Sequence, residues 1–174
     1  DATDVSAPAN WYGRDDVDTV IFDKKDEPGR GLVRYEPIAG EPPEYVWPLP
    51  EVPVDLIWAG KIVVPETVAV PSGAALTVKP GAAVLFAAAA GMEIQGRLEA
   101  AGTSDKRIRF SGKDGHEPES WGEIHFEYAE GSRLSNCDFQ YATWAVHSHF
   151  TALPVIGCTF TNNYGGIRFR SGPV

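Results

Sequence analysis

The chain has 174 residues, 43% of them hydrophobic, and its 24 acidic and 15 basic side chains give a formal net charge of −9. This length suits one domain, or one domain with an appendage. No apolar run approaches the roughly 20 residues that cross a bilayer, so we expect no transmembrane segment. The net negative charge also argues against a nucleic-acid partner, because the phosphate backbone would repel the protein.

The front of the chain divides into two parts. Residues 1–40 hold one turn-rich motif and one short amphipathic stretch, while residues 41–54 contain five prolines. Proline fixes φ and lacks a backbone donor, so residues 41–54 are predicted to form an extended linker or an edge segment. No signal-peptide pattern is visible at the start of the sequence.

From residue 55 to residue 174 the sequence changes to short apolar runs that alternate in and out and are broken by turn residues. Each run has three to five residues, and no helical period persists for ten residues, which predicts strands. Evenly spaced short strands are typical of a sandwich, a barrel or a solenoid. The runs lie at residues 61–64, 67–70, 75–78, 83–86, 92–94, 97–100, 107–110 and 123–126.

An internal repeat distinguishes these folds. Residues 134–139 (L-S-N-C-D-F) match residues 155–160 (V-I-G-C-T-F) at an offset of 21, and the same offset places Val146 on Ile167. An offset of 22 places Ile124 on Val146. A period of this length with apolar positions in register predicts a solenoid, and three short strands per turn make it a parallel β-helix of about five coils. The predicted fold class is therefore all-β.

Several of these segments resemble a known group of proteins. Residues 75–86 (A-L-T-V-K-P-G-A-A-V-L-F), 96–103 (G-R-L-E-A-A-G-T), 107–111 (R-I-R-F-S) and 121–124 (W-G-E-I) are similar to the opening coils of right-handed parallel β-helix proteins of the pectin-lyase-like superfamily. The resemblance covers about 60 residues. It implies a right-handed solenoid, but lyases, hydrolases, adhesins and surface scaffolds share this fold, so it does not imply one function.

The front segment resembles a different part of such proteins. Residues 10–13 (N-W-Y-G), 17–22 and 23–37 (D-K-K-D-E-P-G-R-G-L-V-R-Y-E-P) are similar to the closing coil, which contains one short helix. The resemblance implies a cap-like segment at residues 1–40. The residues that it assigns to the cap or to assembly are Asn10, Trp11, Tyr12, Gly13, Val33 and Tyr35.

A closing motif thus precedes an opening motif, and residues 166–174 end in mid-coil without a cap. Repeat proteins need covered ends, because an open coil is an exposed sheet edge. Three explanations remain. The chain is a piece of a longer protein with tandem β-helices, it is circularly permuted, or it polymerises head to tail, with each front segment closing the open end of a neighbour.

Outward side chains of successive coils should form rows on one face. If Ile124, Val146 and Ile167 point inward, Glu123, Ala145 and Gly166 form one outward row, and His125, His147 and Arg168 form another. Such a strip suits a uronate or another anionic sugar, since arginine binds carboxylate in bidentate fashion, although a solvated strand face is the plainer interpretation. The candidate ligand-binding residues, with exposed corner aromatics included, are Glu123, His125, Trp144, His147, His149, Tyr164, Arg168 and Arg170.

No metal site or resident cofactor is predicted with these histidines, because side chains on neighbouring coils should run parallel rather than converge. Ca²⁺ is the one candidate ion. The acidic front segment offers oxygen ligands but lacks the spacing of an EF-hand loop. Its acidic residues are Asp15, Asp16, Asp18, Asp23, Asp26 and Glu27. The two cysteines, Cys137 and Cys158, are too few for a disulfide scaffold and are expected to be free, buried thiols.

Catalytic patterns are also missing from the sequence. Asp105, Asp114 and Asp138 fall at different coil positions, whereas glycoside hydrolases need paired carboxylates, and no nucleophile elbow is present. The leading hypothesis is a non-catalytic structural module, secreted or on a bacterial cell surface, that stacks with other copies or with the rest of a longer β-helical chain. The alternatives are a glycan-binding module and a fragment of a polysaccharide lyase or glycoside hydrolase.

Overall fold

The computed structural model describes residues 5–6, 25, 32–34, 44–52 and 54–170. The chain forms two compact units, residues 1–43 and residues 44–174. In the first unit, strand β1 (Val5–Ser6) pairs in parallel with strand β2 (Val33–Arg34). The helix expected at residues 17–22 lies outside the described residues, as do Asn10, Trp11, Tyr12, Gly13 and Tyr35.

The second unit is a parallel β-solenoid of about five turns, as the repeat predicts. Strand β3 (Glu44–Val46) comes first, and five coils of three strands follow. They are coil 1 with β4 (Leu56–Trp58), β5 (Lys61–Val64) and β6 (Val68–Val70); coil 2 with β7 (Ala75–Val78), β8 (Ala83–Phe86) and β9 (Met92–Ile94); coil 3 with β10 (Arg97–Ala101), β11 (Ile108–Gly112) and β12 (Trp121–Glu127); coil 4 with β13 (Arg133–Ser135), β14 (Cys137–Gln140) and β15 (Ala142–His149); and coil 5 with β16 (Val155–Ile156), β17 (Thr159–Thr161) and β18 (Gly165–Arg170).

Each coil adds one strand to each of three parallel sheets. Sheet 1 has the order β4-β7-β10-β13-β16, sheet 2 the order β3-β5-β8-β11-β14-β17, and sheet 3 the order β6-β9-β12-β15-β18. The registers taken from the sequence are confirmed, since Leu134 pairs with Val155 and Phe139 pairs with Phe160. The described residues contain no helix that is long and apolar enough to cross a membrane.

Within the proline-rich segment, the described residues 44–52 contribute to the start of this solenoid. Strand β3 forms the edge of sheet 2, where Glu44 pairs with Lys61 and binds it through an ion pair of 2.7 Å. The indole of Trp47 is buried and lies 5.5 Å from the ring of Trp58. An edge position suits this segment, because proline cannot donate to a neighbouring strand.

The core consists of inward side chains that stack from coil to coil. Phe110, Phe139 and Phe160 form a ladder in sheet 2 with centroid separations of 5.0 and 5.1 Å and nearly parallel rings. Trp121 is fully buried, stacks on Phe86 at 4.4 Å and donates its Nε1–H to the carbonyl oxygen of Gln140. This corner tryptophan therefore fills the core rather than facing a sugar.

Candidate functional site

The outward face of sheet 3 carries the polar strip predicted from the sequence. One row across the sheet contains Glu93, His125, His147 and Arg168, which are paired residue by residue on β9, β12, β15 and β18. A second row contains Glu127, His149 and Arg170. The two rows lie side by side because His147 and His149 are separated by one inward residue.

The predicted outward row of Glu123, Ala145 and Gly166 is wrong. Glu123 pairs with Trp144, and Trp144 pairs with Gly165, instead of Ala145 and Gly166. The register shifts between Glu123 and Ile124, because β15 contains one extra residue at this point. Ala145 is fully buried. The irregularity carries Trp144 onto the outward face beside the histidines, and bulges commonly redirect side chains in this way.

The three imidazoles of this face approach one another, contrary to the parallel arrangement expected from the sequence. His125 and His147 stack with their centroids 4.6 Å apart, and the ring of His149 stands nearly perpendicular to both. Nε2 of His147 lies 2.8 Å from Nε2 of His149, and Nε2 of His125 lies 3.4 Å from Nδ1 of His149. We call these three residues the histidine cluster.

Two carboxylates support the histidine cluster from its sides. Nδ1 of His125 lies 2.8 Å from Oε2 of Glu93, and Nδ1 of His147 lies 3.1 Å from both carboxylate oxygens of Glu123. His147 is only 4% exposed, so its ring is held by its neighbours rather than by water. With Glu93 and Glu127 present, the strip is of mixed charge rather than uniformly basic.

The electrostatics of the cluster favour the neutral form of His149. Partial desolvation, followed by the positive charge of His147 and His125, lowers the pKa of His149 below its usual value, and Arg170 acts in the same direction. Glu127 opposes this effect. A neutral imidazole offers a lone pair that can accept a hydrogen bond or bind a metal ion.

Arginine and aromatic side chains flank the histidine cluster on the side of coil 5. Arg168 donates from Nε to Nε2 of His147 at 3.1 Å, and its guanidinium lies 5.2 Å from the ring centroid of Trp144. Tyr164 is 67% exposed and meets Trp144 edge to face at 6.2 Å. Arginine and exposed aromatic rings are groups that bind anions and sugar faces.

All eight ligand-binding candidates therefore lie on sheet 3 or at its corner. The sequence analysis missed Glu93. The alternation in β9 places it outward, but 32 residues separate it from His125 and no fixed repeat bridges that distance. The acidic residues proposed for Ca²⁺ lie outside the part of the chain that the structure describes. No protein-family model, curated protein or solved structure matches this chain.

Proposed function

We propose that this protein is a non-catalytic β-helical structural module that stacks end to end. One observation carries the proposal, namely that the rows of inward apolar side chains, buried in the earlier coils, become exposed at coil 5. Ile124 and Val146 are fully buried, whereas Ile167 in the same row is 47% exposed. Phe169 is 76% exposed although Phe126, two coils earlier in its row, is fully buried.

The backbone of coil 5 supports the same proposal. Strands β16, β17 and β18 are edge strands, and no other described strand pairs with their outer side. An edge that combines unpaired backbone groups with exposed apolar side chains favours the addition of further strands. The partner that fits is one more parallel coil, which would pair with the backbone and cover Ile156, Ile167 and Phe169.

We assign that covering coil to the front segment of a neighbouring copy. The first unit contains a parallel strand pair, β1 with β2, in which Val33 pairs with Val5. Its sequence resembles a closing coil, so it would end the neighbour's solenoid in the way that such coils do. A head-to-tail contact of this kind need not close into a ring, and where it stays open it produces filaments.

The proposal also covers the handedness of the solenoid, its superfamily and the location of the protein. The solenoid would be right-handed and related to the pectin-lyase-like superfamily, as the motifs at residues 75–86 and 96–103 imply. A stacking scaffold with this architecture fits a secreted or cell-surface protein of a bacterium.

Glycan binding is the second candidate, and the exposed ring of Tyr164 beside Trp144 and Arg168 favours it. An anionic sugar would lie on the aromatic rings while Arg168 binds its carboxylate. Isothermal titration with oligogalacturonate tests this function. Binding that Tyr164→Ala weakens supports it, and no heat of binding to the parent chain contradicts it.

Sedimentation velocity at nanomolar and micromolar concentrations tests the stacking function. We expect the parent chain to form a ladder of oligomers that grows with concentration, and Phe169→Asp to remain a monomer. Tyr128→Asp is the matched control, because Tyr128 is exposed on the side of coil 3, between coils that are already paired. A parent chain that stays monomeric, or equal dissociation by both variants, would contradict the proposal.

A further inference from the structure

The spacing of the nitrogens in the histidine cluster resembles that of a metal site. One ligand nitrogen from each of His125, His147 and His149 lies within 4.8 Å of the other two. Zinc binds imidazole at about 2.0–2.1 Å in tetrahedral geometry, so two of its nitrogen ligands stand about 3.3 Å apart. Nε2 of His149 lies 2.8 Å from Nε2 of His147, and Nδ1 of His149 lies 3.4 Å from Nε2 of His125, so His149 has one nitrogen near each of the other two rings. Only one of these two nitrogens would bind the ion, and the ring would turn slightly to do so.

The carboxylates next to the cluster orient two of its rings for metal binding. Glu93 and Glu123 each face the Nδ1 atom of one histidine, which makes Nδ1 the protonated nitrogen and leaves Nε2 with its lone pair toward the centre. Metal-binding histidines usually donate their second nitrogen to such a carboxylate, which fixes the ring and raises its basicity. Three carboxylates, of Glu93, Glu123 and Glu127, also outnumber the guanidiniums of Arg168 and Arg170 on this face, so the local charge favours a cation.

Arg168 fills part of the site in the structure. Its Nε donates to Nε2 of His147, which is the atom that would bind the ion. Arg168 belongs to the edge strand β18 and is exposed, so its side chain can move away without opening the core. An ion would replace this hydrogen bond and the two contacts between the imidazole rings with three coordination bonds.

We propose that His125, His147 and His149 bind one divalent first-row transition-metal ion, for which Zn²⁺ is the best match. Three imidazoles suit Zn²⁺, whereas Ca²⁺ prefers oxygen ligands. The fourth coordination position remains open to water or to an external ligand. The site would join coils 3 and 4 through side chains. Because it lies on the side of the solenoid and not at its end, metal binding and end-to-end stacking are separate properties.

Competition for Zn²⁺ against a chromogenic chelator, with the full chain at pH 7.5, tests the site. We expect one ion per chain. Glu123→Gln should weaken binding about 10- to 100-fold, as the loss of a carboxylate behind a ligand usually does, and His149→Ala should cost at least as much. The chain's fourth histidine provides the matched control, because His116 packs against Tyr141 away from the cluster, so His116→Ala should bind as the parent does.

Two further measurements separate coordination from damage to the fold. Zn²⁺ should raise the midpoint of thermal unfolding of the parent and of His116→Ala, but not that of His149→Ala. Arg168→Gln should bind Zn²⁺ at least as tightly as the parent, because it removes a competitor and a positive charge. Absence of stoichiometric binding, or equal affinity in the parent and His149→Ala, would overturn the proposal.

Discussion

Arg107 donates from Nε to Oδ1 of Asp138 at 2.8 Å, and its Nη2 atom lies 2.8 Å from the same oxygen. The guanidinium also donates to the carbonyl oxygens of Cys137 and Gly157, each at 3.0 Å. Arg107 belongs to coil 3 and its partners belong to coils 4 and 5, so one side chain joins three successive turns. Asp138 also accepts from the hydroxyl of Thr159 in coil 5.

Asp138→Asn should lower stability in a pH-dependent way. The Arg107 guanidinium holds the pKa of Asp138 below its usual value of about 3.9, and Thr159 adds to this effect. The stability from ionised Asp138 is therefore fully present above about pH 4 and is lost as the pH falls through the lowered pKa. Urea unfolding at pH 7 and pH 3 measures this effect. At pH 7 the free energy of unfolding of the parent should exceed that of the variant, and this difference should be smaller at pH 3. A constant difference would contradict the account.

Cys158 should react with iodoacetamide below the pH range of an ordinary thiol. Hydrogen bonding from Cys137, aided by Arg107, lowers the pKa of Cys158 to about 6, whereas the same pairing and burial raise that of Cys137. Both cysteines are free, but only Cys137 is fully buried, so the expectation of two buried thiols is wrong for Cys158. The rate of alkylation against pH, followed by mass spectrometry under reducing conditions, should show modification of Cys158 with a midpoint near pH 6.

Cys137→Ala is the control for this prediction, because it removes the donor and leaves one thiol. The midpoint for Cys158 should rise toward the ordinary value of about 8.5. Equal labelling of both cysteines in the parent, or a midpoint that the substitution leaves unchanged, would show that the two thiols are not coupled.

Phe139→Ala should destabilise the solenoid by about 3–5 kcal/mol, the usual cost of removing a buried aromatic ring. Phe139 is fully buried between Phe110 and Phe160, so the truncation opens a cavity and breaks the ladder on both sides. Urea unfolding measures the loss. Phe160→Ala provides the comparison. This substitution should destabilise the solenoid less, because Phe160 is only half-buried in coil 5. Equal losses would mean that coil 5 is covered as fully as coil 4.

Two neighbouring glycines should respond differently to alanine. A Cβ atom at Gly165 would overlap the indole ring of Trp144, whereas one at Gly166 would make an ordinary contact of 3.7 Å with Phe160. Gly165→Ala should cost about 1–3 kcal/mol, as overpacking does, and lower the thermal midpoint by several degrees. Gly166→Ala should change the midpoint little. A calorimetric scan of both variants checks this, and matching midpoints would exclude the close approach of Trp144.

The solenoid could be predicted from the sequence where its repeat is regular. Leu134 and Val155 are 21 residues apart, and their pairing follows from the aligned apolar positions. Between coils 3 and 4 the separation rises to 34 residues, from Ala100 to Leu134, because coil 3 includes the long loop before Trp121. An insertion of this kind changes the length of the repeat, so no single offset aligns the paired residues of coils 3 and 4.

The histidine cluster could be predicted only as a row. The alternation of inward and outward residues places His125 beside His147, and the structure confirms this pair. The approach of His149 depends on how each ring turns about its side-chain torsions, which the spacing of the residues does not determine. Glu93 and the register shift at Glu123 were missed for a related reason, since both depend on packing between coils.

Electron cryomicroscopy of the purified chain at micromolar concentration tests the central claim of stacking most directly. The account predicts filaments in which the strand spacing of about 4.8 Å continues from coil 5 of one molecule into the front segment of the next. Phe169→Asp should abolish these filaments, and Tyr128→Asp should preserve them. Single particles no longer than one solenoid at every concentration would contradict the account.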